Sequence, residues 1–157
     1  MVACCVSYRG TTPPFFCKKG LKINSESYCD LVLDNYAPYL QALYPEKNGL
    51  YFLQDGAPSH TSEESLKCVH KIFGAKNVIQ NPPNSPDLNV LDYHTWDHMD
   101  KMVQQNKDIV TLADLKREVV RSYQNVNMDE VKKAIESRPK RLKKCIEAKG
   151  DRFEFAL

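Results

Sequence analysis

Two aspartates stand where a fold of alternating strands and helices gathers its chemistry. Asp55 follows the predicted strand 50–54, which begins with the apolar run 50–53, and glycine and proline turn residues come directly after it. Asp92 opens a predicted helix after the proline-rich loop 81–89. Because ligands bind at the carboxyl ends of strands in open α/β sheets, both carboxylates could project into one cleft.

Such a pair of acids would suit a divalent metal ion. Two carboxylates that approach each other repel unless a cation lies between them, and oxygen ligands favour a hard ion such as Mg²⁺. A pair of such ions can activate the attacking oxygen and stabilise the leaving oxygen in phosphodiester chemistry. The spacing alone leaves a second interpretation open, because an aspartate at a strand end or helix start is more often a structural cap.

The histidines and cysteines offer weaker signals. His60 follows the turn after Asp55 and could contact the site or DNA, although capping or packing explains it equally well. His94 and His98 have the i, i+4 spacing of a zinc pair, but Thr95 stands where the glutamate of H-E-x-x-H would be, which favours solvated or core histidines. The six cysteines form no C-x-x-C pair, so we expect reduced thiols that lie mostly in the core.

The predicted elements that must position these residues alternate along the chain. Strands are predicted at 2–8, 14–17, 50–54 and 77–80, with a further short one at 21–23. One helix is predicted to begin at a cap at Asn24 or Ser25 and to restart at Pro38, and a second to run from a capping box at Thr61 and Glu64 to Gly74. Further helices are predicted at 91–105, at 128–137 and from Pro139 to Gly150. Another begins at Thr111 with Asp114, and its predicted apolar face consists of Leu112, Leu115, Val119 and Tyr123. This order predicts one α/β domain with a mixed sheet, and 157 residues suit one domain.

Charge and hydropathy exclude few partners. A net charge of +2 makes no strong case for nucleic acid or membrane. The basic run 138–152 could meet phosphates, although a solvated helix face is the simpler explanation. No stretch approaches the ~18 apolar residues of a membrane helix, and the first residues lack the pattern of a signal peptide. We therefore expect an intracellular protein that has no membrane partner.

Two longer motifs turn the weak signal of the acids into a specific one. The chain reads LQDGAPSHT around Asp55 and NPPNSPDLNVLDYHTW around Asp92, with 36 residues between the two acids. These motifs resemble those of the mariner superfamily of DDE/DDD transposases, in which QDxAPxH and PPxSPDLxxxDYxxW carry the second and third catalytic acids. The resemblance covers nearly the whole chain and implies a ribonuclease H-like mixed sheet flanked by helices.

The resemblance also implies roles for individual residues. Asp55 and Asp92 match the second and third catalytic acids, so both are expected to be catalytic and to bind Mg²⁺ or Mn²⁺. Asp87, within SPDL, is expected to hydrogen-bond the turn and the helix start. Non-specific DNA is the expected partner, and its expected contacts are His60, Arg138, Lys140, Arg141, Lys143 and Lys144.

Some parts of the family have no match in this sequence. The first catalytic acid of the family lies at the end of a strand just before the segment matched by 2–8, whereas the first aspartate here is Asp30, in a predicted helix. The paired helix-turn-helix domains are unmatched as well. We therefore expect an N-terminally truncated, partial catalytic domain over 1–157 that lacks its first, central strand. Such a chain should be marginally stable, bind metal weakly and be inactive alone.

Several functional interpretations stay open at this stage. The chain could be an enzyme that cleaves and joins DNA, or a product without chemistry that binds DNA, forms a homodimer or pairs with a full-length transposase. It could also be a domesticated interaction or regulatory protein that reuses the scaffold, or a fragment of a longer active transposase. Nuclear location is implied by the family, with the basic run 140–144 as a candidate import signal.

Overall fold

The structure is a computed structural model that describes residues 1–18, 20–46 and 49–156. The chain divides into two compact units. The first is formed by Met1–Cys5 and Phe15–Asn84, and the second by Val6–Pro14 and Ser85–Leu157.

The described residues form short strands that pair as three two-stranded sheets. The strands are β1 (Val2–Ala3), β2 (Val6–Ser7), β3 (Gly10–Thr11), β4 (Phe15–Phe16), β5 (Phe52–Gln54) and β6 (Val78–Gln80). β1 pairs antiparallel with β4, β2 antiparallel with β3, and β5 parallel with β6. The single strand predicted over 2–8 is therefore wrong, because its second half pairs within a local hairpin. The predicted strand at 21–23 is also absent from the structure.

The helices confirm most of the predicted starts. They are α1 (Ser25–Leu31), α2 (Ala37–Leu43), α3 (Pro58–Thr61), α4 (Glu63–Phe73), α5 (Trp96–Gln105), α6 (Leu112–Gln124) and α7 (Met128–Glu147). Asn24 caps α1 and Thr111 caps α6, each within a reciprocal capping box. The predicted capping box of Thr61 is wrong, because Thr61 ends α3 and the side chain of Ser62 accepts the first bond of α4.

The two helical prolines behave differently. Pro38 lies in the first turn of α2, directly after a π-helical turn at Val32–Tyr36, as the predicted restart requires. Pro139 restarts nothing, because α7 continues through it. An interior proline costs about 3 kcal/mol or more, so tertiary contacts of α7 must offset that penalty. Burial of Val131 and Ala134 on the same helix supplies part of this stabilisation.

The core of the first unit is built from α1, the following π-helical turn, α2, α4 and β5. Its buried members are Tyr28, Leu31, Val32, Tyr36, Leu40, Phe52 and Val69. The thiols contribute less than expected, because Cys4 is buried while the other five free cysteines are half-buried. No helix within the described ranges has the length and apolar character needed to cross a membrane.

In the second unit, the predicted apolar face of α6 is only partly correct. Tyr123 is buried, but Leu112 and Leu115 are 62% and 37% exposed. The helix buries Glu118 instead, whose carboxylate accepts a 2.7 Å hydrogen bond from the Asn106 side chain. The buried face of α6 therefore includes a polar pair that the apolar pattern did not predict.

Candidate active site

Asp55 follows β5 directly and is held at one oxygen by its own turn. The strand is anchored by burial of Phe52 and Gln54 and by its parallel pairing with β6. The backbone N–H of Ala57 donates to Asp55 Oδ1 at 3.0 Å, which bends the chain into α3. The Asp55 side chain is 52% exposed, so an ion from solvent can reach the carboxylate.

His60, on α3, closes on the same carboxylate oxygen. Its Nδ1 lies 2.5 Å from Asp55 Oδ1. Its ring stacks on the ring of Tyr28 with the centroids 4.1 Å apart. The packing role that the sequence left open for His60 is therefore observed, together with a specific polar partner.

Two buried side chains that the sequence analysis missed support the contact between His60 and Asp55. Tyr28 Oη donates to Gln54 Oε1 at 2.5 Å, and Gln54 Nε2 donates to the His60 carbonyl at 2.9 Å. Burial, followed by the nearby Cys5 and Asp55, raises the pKa of Tyr28, so the phenol remains a donor at neutral pH. A glutamine directly before the acid in LQDG was the available signal.

Asp92 is exposed and lies in a π-helical turn at Leu91–Thr95. Asn89 organises the start of this turn: its side chain accepts from the Leu91 N–H at 3.1 Å and its carbonyl from the Asp92 N–H at 3.0 Å. Asn89 therefore makes the helix-start contacts that were expected of Asp87. Asp87 lies just upstream, in the 3-10 turn Pro86–Leu88.

Two arginines of α7 bind the loop that carries Asp92. Arg138 Nε donates to the Leu88 carbonyl at 3.0 Å, and Arg141 donates through one terminal nitrogen to the Asp87 carbonyl at 3.2 Å. The Arg141 guanidinium also lies 3.9 Å from the ring centroid of Tyr93. Both arginines were predicted to contact DNA, and both have partners within the second unit.

Removing either arginine should destabilise this loop. Arg138→Ala or Arg141→Ala should lower the free energy of unfolding by about 1–3 kcal/mol, because each leaves a loop carbonyl without its charged donor. Urea unfolding followed by circular dichroism would measure the loss. Lys143→Ala, an exposed change on the same helix, should stay within about 0.5 kcal/mol. A loss as large in the lysine variant would contradict the loop-binding role.

The remaining predicted site residues are distributed over both units. Asp55 lies in the first unit and Asp92 in the second, and their convergence on one ion stays a prediction. Across 1–18, 20–46 and 49–156, no group of three or more His, Cys, Asp or Glu side chains could hold a metal ion. Desolvation lowers the pKa of His94, and its Nδ1 is buried with no hydrogen-bond partner among the described residues.

The three remaining basic residues predicted to contact DNA also lie on α7. Lys140 and Lys143 are exposed, whereas Lys144 is half-buried with its Nζ 2.8 Å from Glu147 Oε2. Their role as DNA contacts stays a prediction.

Comparison with solved structures shows the fold of this chain. The catalytic domain of Mos1 mariner transposase matches with a TM-score of 0.84, over 98% of this chain and 75% of that one, at 22% identity. The same domain solved with raltegravir and Mg also gives 0.84, at 22% identity over 98% of this chain and 76% of that one. A Mos1 paired-end complex with Mn gives 0.81, at 24% identity over 94% of this chain and 43% of that one. The chain has a ribonuclease H-like fold, as predicted.

Proteins that are similar in sequence to this chain include two transposases. Human histone-lysine N-methyltransferase SETMAR is 24% identical over 88% of this chain and 20% of that protein. The Tc3 transposase of Caenorhabditis elegans is 27% identical over 85% of this chain and 40% of that protein. The Tcb2 transposase of Caenorhabditis briggsae is 30% identical over 63% of this chain and 35% of that protein. No family model matches the sequence.

The chain therefore has the fold of a mariner-like transposase catalytic domain and resembles transposases in sequence, which confirms the predicted resemblance. It spans between a fifth and two-fifths of the length of these curated relatives.

Proposed function

We propose that Asp55 and Asp92 are ligands of a divalent metal ion, Mg²⁺ or Mn²⁺, in a catalytic domain that acts in DNA transposition. The 157 residues contribute two of the three acids of the family pattern. On its own, this chain should therefore hold the ion weakly and bind DNA without cutting it, because a two-metal reaction needs the bridging ligand that the first acid of the family pattern supplies.

The observation that carries this proposal is the way Asp55 is presented. It stands at the carboxyl end of a buried strand, is half-exposed, and accepts two hydrogen bonds from the described residues, both on Oδ1. The described residues leave Oδ2 unengaged, and a carboxylate oxygen of this kind fits a hard cation. When bound, such an ion would lower the charge barrier at a phosphodiester.

The neighbours support the cofactor and the partner. Solved structures of the Mos1 catalytic domain contain Mg or Mn, and Mos1 has also been solved as a paired-end complex with a transposon end. We infer DNA as the partner of this chain, a nuclear location, and pairing with a second transposase copy. Lys140, Lys143 and Lys144 of α7 would meet DNA phosphates.

Mn²⁺ binding, followed by electron paramagnetic resonance, tests the metal site. Asp55→Asn and Asp92→Asn should each weaken Mn²⁺ binding at least about 10-fold, since each removes one charged ligand. Asp87→Asn is the matched control, because Asp87 is an acid of the same motif as Asp92 that is not a proposed ligand. This variant should bind Mn²⁺ as the wild type does. Unchanged binding in Asp55→Asn and Asp92→Asn would refute the metal site.

A plasmid-nicking assay tests the absence of cleavage. In Mg²⁺ or Mn²⁺, the wild-type chain should nick supercoiled DNA no faster than Asp55→Ala. Nicking that disappears in Asp55→Ala would show that two acids suffice for chemistry.

A further inference from the structure

The Asp55 carboxylate is held asymmetrically. Its Oδ1 receives the Ala57 N–H at 3.0 Å and faces His60 Nδ1 at 2.5 Å. No other hydrogen bond reaches this carboxylate from the described part of the chain. Both bonds therefore anchor Oδ1, and the described residues leave Oδ2 without a hydrogen bond.

The partner of Oδ1 sets the proton position on His60. An ionised carboxylate only accepts hydrogen bonds, so the proton of a neutral His60 ring must lie on Nδ1. Nε2 is then left unprotonated. The bond to Asp55 thus selects one tautomer as well as one ring orientation.

The ring of His60 has little freedom to leave this position. The ring stacks on Tyr28, which is 3% exposed. The backbone carbonyl of His60 accepts a hydrogen bond from Gln54, which is 5% exposed. Tyr28 and Gln54 are in turn joined by a 2.5 Å hydrogen bond. Because Gln54 directly precedes Asp55, the histidine and the acid are held by one buried pair.

We propose that His60 is a positioning residue that orients the Asp55 carboxylate for the metal ion, a role that rests on the function proposed above. Residues that hydrogen-bond a ligating carboxylate are typically worth about 10- to 100-fold in metal affinity. A ligand that rotates freely must be ordered when the ion binds, whereas the His60 bond orders Asp55 in advance. DNA contact is not required for this role.

Two substitutions separate the hydrogen bond from the ring. His60→Ala removes the donor and should weaken Mn²⁺ binding about 10-fold, whereas His60→Asn places a side-chain N–H at the δ position and should retain affinity within about 3-fold. His70→Ala, a half-buried histidine of α4 in the same unit, is the matched control and should match the wild type. Urea unfolding would confirm that each variant is folded.

The outcomes distinguish this inference from the metal site itself. If Asp55→Asn loses Mn²⁺ while His60→Ala binds like the wild type, the positioning role is wrong and the metal site stands. If His60→Asn is as weak as His60→Ala, the hydrogen bond is not the cause, and the role is also wrong. If Asp55→Asn binds like the wild type, the proposed metal site fails first.

A measurement without metal tests the same contact. Nitrogen-15 NMR of the wild-type chain at about pH 8 should show the neutral His60 ring protonated on Nδ1, and Asp55→Ala should shift it toward the Nε2-protonated form that free imidazoles prefer. A wild-type ring protonated on Nε2 would overturn the inference, whatever the titrations give.

Discussion

The affinity of the chain for a non-specific DNA duplex should fall about 40-fold when NaCl rises from about 50 to about 200 mM. Each phosphate contact made by a lysine or arginine contributes a slope of about −0.9 to the plot of log affinity against log salt. Arg138 and Arg141 donate to backbone carbonyls within the second unit, so the contacts counted here are the predicted lysines Lys140, Lys143 and Lys144. The pair of Lys144 with Glu147 is a surface ion pair, which is weak enough to exchange for a phosphate. Three contacts give a slope of about −2.7.

Fluorescence anisotropy over a salt series would measure this slope. Replacing Lys140, Lys143 and Lys144 with alanine should remove most of it. The matched control replaces Lys101, Lys107 and Lys116, which lie in the same unit but outside α7, so it changes the net charge equally and should preserve most of the slope. An equal loss of slope in both triple variants would mean that DNA binding depends on net charge alone and not on these lysines of α7. Salt-insensitive binding, or none at about 50 mM salt, would refute DNA binding by this chain.

Phe52→Ala should destabilise the first unit by about 3–5 kcal/mol, the usual cost of removing a buried phenylalanine. Phe52 is 7% exposed, and its ring stacks on Phe73 with the centroids 4.4 Å apart and the planes at 3°. A domain of this size is stable by about 5–15 kcal/mol, so the loss is a large share of the total. Since Phe52 anchors β5, the support of Asp55 weakens with it.

Urea unfolding of the purified chain would measure this loss. The control is the adjacent Tyr51→Ala, an aromatic side chain that is 60% exposed and should change stability by less than about 0.5 kcal/mol. A loss of under about 1 kcal/mol for Phe52→Ala would mean that the core described here does not hold β5.

The features that were predictable from the sequence depend on close neighbours in the chain. The caps at Asn24 and Thr111 each bond to a residue three positions later. The turn at Asp55 is made by Ala57, two positions on. Contacts of this range are written into a few adjacent residues, so local pattern suffices to find them.

Local preference failed where distant residues supplied the stronger interaction. Pro139 should have ended a helix, yet α7 continues through it and binds the loop 86–88 from both sides of that proline, through Arg138 and Arg141. The strand predicted at 2–8 was divided because its two halves found different partners. The partner of a strand is determined by the tertiary structure, and the hydrophobic pattern of the strand itself does not indicate it.

The sequence alone was enough to identify the mariner-like motifs and to select Asp55 and Asp92, because each motif is contiguous and its acid stands at the boundary of a recognisable element. They were not enough to show how Asp55 is supported. Tyr28 reaches Gln54 across 26 residues, and Arg138 and Arg141 reach the Asp92 loop across 50 and 54. Hydrogen bonds of that separation exist only once packing has brought the elements together, so the supporting residues around both acids became visible only in the folded structure.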